Sequence, residues 1–218
     1  KWSSLQQMMD LEAAGYGLRI LNTENTQTLI SSSGPYKNNK KILISVGTGI
    51  AHALVDDNEI SKFTDGHSLP ITVTEEHRKI ESFIRRKKGG DLSLIMEDFV
   101  SGRGLRAIAE YTSAFPNDEI QPDEFMRDLK SNPDAIRLFF EFLGLYAHNV
   151  VSVTGFYGGV YLTGGVIDNL IKNNLVDWDA FAKHLRPPML PVVNDRLNST
   201  SVNYVLHDEL PLLGLTNF

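Results

Sequence analysis

Short runs rich in apolar and β-branched residues alternate along this chain with longer, well-punctuated helical runs, and that alternation narrows the fold more than any other feature. Strands are expected at LRIL (18–21), KILISV (41–46), AHALV (51–55), GVYLTG (159–164) and VNYVLH (202–207). Among the helices, Ser3 or Ser4 caps LQQMMDLEAA, which should stop at Gly15. Thr74 caps EEHRKIESFIRRKK, with Glu75 and Glu76 at its positive end, Arg85 to Lys88 at its negative end and Gly89-Gly90 as the stop. The RRKK run is therefore read as a dipole partner rather than a nucleic-acid patch. Pro122 suits the first position of DEFMRDLK, and Asn132-Pro133 starts a long helix, DAIRLFFEFLGLYAHNVVSVT, apolar almost all round. WDAFAKHL forms a last helix, while SSSGPYKNNKK (31–41) and LPVVNDRLNSTS (190–201) read as loops. In the second loop Leu190, Val192 and Val193 either form a contact patch or pack into the core. Strands alternating with helices argue for an α/β layered protein.

Composition limits what such a protein does. The 218 residues suffice for one large domain, or for about one and a half smaller ones, at the usual ~100–200 residues per domain. A net charge of −6 disfavours a nucleic-acid platform, which needs a basic excess. No cysteine is present, which excludes disulfides, thiolate zinc sites and cysteine nucleophiles and is compatible with a cytoplasmic protein. No apolar run approaches the ~18 residues of a membrane span. The six histidines (52, 67, 77, 148, 184 and 207) show neither HxH nor HExxH spacing, so no metal site is expected. Lys1 rather than methionine stands first, and the abrupt start suggests a longer natural protein.

Two glycine-punctuated stretches carry the functional signal. Gly47-Thr48-Gly49 ends the strand KILISV, where a turn with a hydroxyl and backbone N–H groups suits a phosphate and equally suits a plain strand connection. In GGVYLTGGV (158–166), glycine pairs bracket a short β-run and a helix follows. Close approach by a nucleoside explains those glycines, and so does tight strand packing.

Taken in order, strand–GTG, DGH (65–67), MEDFVSGRGL (96–105), the long helix with Asn149, GGVYLTGG and HDELPLLG (207–214) resemble the bacterial glucokinase family. Its members are ATP-dependent hexokinases of the actin-like, ribonuclease H-like α/β fold. The resemblance runs from about Trp2 to Gly214 and covers mostly the family's large domain. It implies nucleotide contacts at Gly47, Thr48, Gly49, Thr163, Gly164 and Gly165, and sugar contacts at Asn22, Thr64, His67 and Glu97. Residues 1–36 would be a remnant of the small or interdomain region, 37–201 the large domain, and 202–218 a strand and turn returning to the small domain.

Departures from the family pattern fall on the chemistry. The family's catalytic base is the aspartate after the sugar-binding asparagine, and Thr23 stands there, so no catalytic residue is assigned. A positioned base contributes ~10²–10⁴-fold in rate, and a neutral hydroxyl does not replace it. Glu24 is adjacent, but on a strand it would point to the opposite face, and only a turn there would bring it back as a base. Thr64 replaces the first acid of the family's E-G-G-H, with Asp65 next to it. GTG is followed by IAHA rather than L-G-V-A, and the family's first phosphate motif, D-x-G-G-T, does not occur in these residues. The expected function is a catalytically degenerate, glucokinase-like binding or scaffold subunit with protein partners and no certain cofactor. The competing expectation is a sugar kinase of altered specificity that uses Mg and ATP on a hexose. Neither expectation involves nucleic acid or a membrane span.

Overall fold

The computed structural model describes residues 10–57, 60–63, 65–113, 122–206 and 210–216. In chain order these form α1 (Asp10–Ile20), β1 (Thr26–Ile30), β2 (Lys41–Val46), β3 (Ile50–Val55), β4 (Ile60–Phe63), α2 (Glu75–Lys87), α3 (Gly102–Ser113), α4 (Pro122–Leu129), α5 (Pro133–Thr154), β5 (Val160–Thr163), α6 (Gly165–Lys172), α7 (Trp178–Leu185), α8 (Pro191–Asn198), β6 (Val202–Val205) and α9 (Leu210–Leu215). Short 3-10 turns lie at Thr23–Asn25, Asp65–His67 and Met96–Asp98. The strands make one mixed sheet in the order β1-β6-β5-β2-β3-β4. Its centre, β6-β5-β2, is parallel, and its remaining pairs are antiparallel. No helix among the described residues is long and apolar enough to cross a membrane.

Both faces of the sheet are covered, which explains the unbroken apolar run ILI in β2. Ile42, Ile44 and Val46 point into a large core built on α5, whereas Leu43 points into a smaller core with Leu11, Ala14, Leu18 and Leu210. The α5 helix carries most of the large core, because Phe139, Phe140, Phe142 and Leu143 are all fully buried. Asn132 caps it by accepting from the Ala135 N–H, and Gly155 closes it in the left-handed region at φ 71°. The Thr74 side chain caps α2 through the His77 N–H at 3.1 Å, as its sequence implies.

Three expectations fail, each for an identifiable reason. The first helix does not stop at Gly15, and LRIL is not a strand, because α1 continues to Ile20. Its glycines mark close packing rather than termination. A Cβ at Gly17 would lie 2.3 Å from the Leu210 carbonyl oxygen, and one at Gly15 would lie 2.7 Å from an Ile60 methyl. The proposed cap at Ser3 or Ser4 lies outside the described residues. The segment 190–201 is not a loop throughout, since Pro191 opens α8 and the Asn194 side chain ties back to both the N–H and the C=O of Met189. That helix buries only Leu197 fully, so it has almost no apolar periodicity to read. Leu190 and Val192 are exposed, whereas Val193 packs against the large core.

Gly17 yields a sign reversal that tests the α1–α9 contact. On an exposed helix, Gly→Ala stabilises by about 1 kcal/mol through propensity. Here the added methyl meets a backbone carbonyl, so Gly17→Ala should destabilise by about 1–3 kcal/mol in urea unfolding. A stabilised variant would mean that α9 does not dock on α1.

Candidate active-site cavity

The parallel strands β2, β5 and β6 all run the same way, so their carboxyl ends share one edge of the sheet. Open α/β sheets bind ligands at that edge. Ser45 pairs with Thr163 across β2 and β5, which sets Gly47-Thr48-Gly49 beside Gly164-Gly165. A cavity of about 600 Å³ opens there, lined by both glycine loops, by Glu97, by Asp168 and by residues of α1 and α9. Its size falls within the roughly 300–1,000 Å³ of small-molecule sites.

The two loops differ in how they use their glycines. Gly164 caps α6 at φ 104°, and a Cβ there would lie 2.5 Å from the Val46 carbonyl oxygen. It is therefore needed for strand packing, one of the two readings its sequence allowed. Gly47 and Gly165 are open, since a Cβ on either would meet nothing within 4 Å. The Gly47 N–H is spent on the Gly49 carbonyl at 2.8 Å, and the Gly47 carbonyl accepts from the Gly102 N–H at 2.9 Å. The second bond ties the loop to the start of α3.

Glu97 is positioned by its neighbours. Asp98 is buried, accepts two 2.8 Å hydrogen bonds from the Lys88 ammonium, and accepts from the Ile95 N–H at 3.0 Å. The Ser101 hydroxyl donates to the Glu97 carbonyl at 2.7 Å and accepts from the Gly104 N–H at 3.1 Å. These bonds fix the Met96–Asp98 turn and aim the Glu97 carboxylate at the glycines. A Cβ at Gly49 would lie 2.4 Å from its Oε2, and one at Gly66 would lie 3.2 Å from it. Its other oxygen, Oε1, forms an ion pair with Arg103.

Seven of the residues singled out in the sequence thus meet at one cavity: Gly47, Thr48, Gly49, Glu97, Thr163, Gly164 and Gly165. Others do not reach its wall. Asn22 is exposed just after α1, and His67 is exposed at the end of the Asp65–His67 turn, which abuts Glu97 through Gly66. Thr64 lies outside the described residues, as does His207-Asp208-Glu209. Thr23 and Glu24 belong to a 3-10 turn rather than a strand, so the alternation that would send Glu24 to the opposite face does not apply. Glu24 is exposed and is not a wall residue.

Sequence reasoning missed Asp10, Asp168 and Arg103. Asp168 occupies the first turn of α6, lines the cavity, and accepts from the Tyr204 hydroxyl at 3.0 Å. An acid three residues beyond the second glycine of the pair was the available signal. Asp10, Glu97 and Asp168 line the cavity, and among the described residues no lysine or arginine does. A bare phosphate is therefore poorly matched. Hydroxyl-rich ligands suit such a wall, and so does a nucleotide that brings its own divalent cation. The wall fits a magnesium nucleotide on that ground, since the ion would supply the positive charge that these residues lack.

The glycine contrast is testable by thermal melting. Gly164→Ala should destabilise by about 1–3 kcal/mol, because φ 104° is strained for any other residue. Gly165→Ala should leave stability unchanged or raise it slightly, since its methyl enters open space.

Comparison with known proteins bears on this arrangement. A family model described as glucokinase matches residues 1–218. The chain is 29% identical over 135 residues to a glucokinase of Photorhabdus laumondii, covering 57% of this chain and 41% of that protein. It is 25% identical over 225 residues to a glucokinase-like protein of Xylella fastidiosa, covering 94% and 63%. The chain thus spans less than two thirds of the length of these relatives. Among solved structures, a glucokinase from an Antarctic psychrotroph superposes with a TM-score of 0.78 at 18% identity, covering 95% of this chain and 66% of that one. The glucokinase of Balamuthia mandrillaris in complex with glucose gives 0.75 at 20%, covering 94% and 63%. The sheet and its flanking helices are those of the actin-like, ribonuclease H-like fold.

Proposed function

The chain belongs to the glucokinase family, and we propose that it is a catalytically degenerate member, a binding or scaffold subunit of a larger protein assembly that keeps the ligand cavity without turning a sugar over. The observation that carries this reading is the chemistry around Asn22. Thr23 stands where the family resemblance calls for the proton-accepting aspartate, and Glu24 is no part of the cavity wall. A threonine hydroxyl is neutral near pH 7 and leaves the attacking sugar hydroxyl without a base. The open glycines Gly47 and Gly165 support retained ligand binding, in which nucleotide would lie along Gly47-Thr48-Gly49 and Thr163-Gly164-Gly165. Arg103 holds Glu97, among the described residues the one proposed sugar contact in the wall, and so competes with a sugar hydroxyl for that carboxylate. The scaffold role rests on the lost chemistry rather than on any particular surface. In this reading residues 37–201 are the large α/β part, while 1–36 and 202–218 border a second lobe whose closure would exclude water from phosphoryl transfer.

A second reading, an ATP-dependent hexose kinase of altered specificity, draws on the turn at Thr23–Asn25. Because that stretch is not a strand, modest movement on closure would let Glu24 serve as the base. Asp65, which opens the turn ending at His67, is the matching substitute for the acid lost at Thr64.

Calorimetric titration of the full natural chain with Mg·ATP and with glucose, followed by a turnover assay, separates the two. Under the first reading Mg·ATP binds and hexose phosphorylation stays at background. Thr23→Asp then raises turnover, by up to the ~10²–10⁴-fold a positioned base contributes. Wild-type turnover that Thr23→Asp leaves unchanged and Glu24→Gln abolishes would establish the kinase instead. Arg103→Ala, by releasing Glu97, should tighten any hexose binding several-fold, and unchanged affinity would remove Glu97 from the sugar site.

A further inference from the structure

Three helices far apart in sequence bring His77, Glu141 and His184 together beneath the surface, away from the cavity. His77 lies in the first turn of α2, Glu141 one third of the way along α5, and His184 near the end of α7. All three are buried, and among the described residues they alone group their ligand atoms within 4.8 Å in a way that suits a metal ion. The approach depends on Gly144, one turn beyond Glu141. A Cβ there would lie 2.5 Å from the Phe181 carbonyl oxygen and 3.0 Å from the His184 Cβ, so only glycine lets α7 come close enough.

Hydrogen bonding leaves a gap between two acceptors. His184 Nδ1 faces the Ala180 carbonyl oxygen at 2.9 Å, so that nitrogen carries the proton and Nε2 of the neutral ring holds a lone pair. Nε2 faces Glu141 Oε2 at 3.9 Å, beyond hydrogen-bond reach. The same oxygen is 2.7 Å from His77 Nε2. A buried imidazole lone pair opposed to a carboxylate oxygen is repulsive unless something positive sits between them. Two ligands at about 2.0–2.1 Å from one zinc ion stand roughly 3.3 Å apart in tetrahedral geometry. The 3.9 Å gap would close by about half an ångström and the 2.7 Å contact open by as much.

Charge and the surrounding bonds agree with a dication. Arg137 donates to Glu141 Oε1 at 2.8 Å, leaving Oε2 for the metal and fixing the carboxylate plane. Arg137 also pairs with Glu76 at 3.0 Å and Asp134 at 3.2 Å. Three carboxylates around one guanidinium leave an excess of two negative charges when both imidazoles are neutral. The guanidinium bonded to its Oε1 keeps Glu141 a carboxylate. The Ala180 carbonyl fixes the His184 tautomer, as carbonyls do for metal-bound imidazoles. Binding costs two contacts, since His77 must move its proton to Nδ1 and so exchanges its 2.7 Å hydrogen bond to Glu141 for the metal and gives up the 3.4 Å approach of the Val73 N–H. That approach is already long for a hydrogen bond, and Val73 is exposed enough for water to replace it.

We propose that His77, Glu141 and His184 bind one divalent transition ion of the zinc type, with water as fourth ligand, and that the ion staples α2, α5 and α7. The side chains are 0%, 11% and 9% exposed, so the ion would be held away from bulk solvent. The absence of HxH and HExxH spacing, which argued against a metal, applies only to ligands on a single element.

The test uses the full natural chain after chelator treatment and buffer exchange, titrated with Co²⁺ and then Zn²⁺. Uptake of one Co²⁺ with the visible absorption of a four-coordinate ion, displaced by Zn²⁺, is expected. Zn²⁺ at a hundredfold excess over its Kd should raise Tm by about 5–10 °C. His184→Ala and Glu141→Gln should each weaken Co²⁺ binding at least a hundredfold, while His148→Ala, on α5 but outside the cluster, should not. Crystals of the wild type grown with zinc give a check that needs no variant, because anomalous scattering must peak among the three side chains. No stoichiometric uptake by the wild type, full affinity in His184→Ala, or anomalous peaks only elsewhere would each overturn the site.

Discussion

The register between β2 and β5 is the constraint on which the cavity depends. Pairing of Ser45 with Thr163 brings two strand ends level, and the loops that follow them then lie side by side. Two independent features hold that register. Leu43 faces the smaller core while Ile42 and Ile44 face the larger one, so a slip of one residue would exchange both faces at once. At the strand ends, Gly164 sits against the backbone of Val46 so closely that no side chain fits between them. The parallel strand β6 extends the edge, and Tyr204 on it reaches Asp168 on α6.

The cavity is rigid on one side and divided in its chemistry. The Gly47 carbonyl is bonded to the start of α3, and the turn bearing Glu97 is bonded to the same start through Ser101 and Gly104. Loop, turn and helix therefore move together, which gives the Glu97 carboxylate a fixed position relative to Gly49. The cavity's charged wall residues among those described are the acids Asp10, Glu97 and Asp168, and Arg103 already engages one oxygen of Glu97.

Much of this was legible in the sequence, and the failures have a common cause. The strands KILISV, AHALV and VYLT and the helices of α2, α5 and α7 announce themselves through period, caps and stops that act locally. Six of the seven cavity residues were legible because strand-to-glycine junctions are local too, whereas Glu97 came only from the family resemblance. Gly15 and Gly17 misled, because the same residue that ends helices also admits a neighbouring backbone, and only the position of Leu210 and Ile60 tells which role applies. Strand β1, TQTLI, has no face that is fully buried, so nothing in its pattern marks it before β6 pairs with it. The histidine–glutamate cluster was invisible for a stronger reason, since its members are 64 and 43 residues apart and meet only through helix packing.

The cavity also bridges the two cores. Its glycine loops and Glu97 rest on the large core around α5, whereas Leu11, Ala14 and Leu210 in its wall belong to the smaller core between the sheet and the pair α1 and α9. Those two helices come from opposite ends of the described chain and touch where Gly17 meets Leu210 and Gly214 meets Ala13. A ligand seated in the cavity therefore contacts elements held by separate hydrophobic clusters. Its binding free energy adds to the docking of α1 and α9 on the sheet, because whatever binds only the docked state stabilises it by mass action. Loosening of that small core costs binding by the same linkage, without any wall residue being changed. The two glycine contacts between α1 and α9 thus matter to the site even though neither glycine lines it.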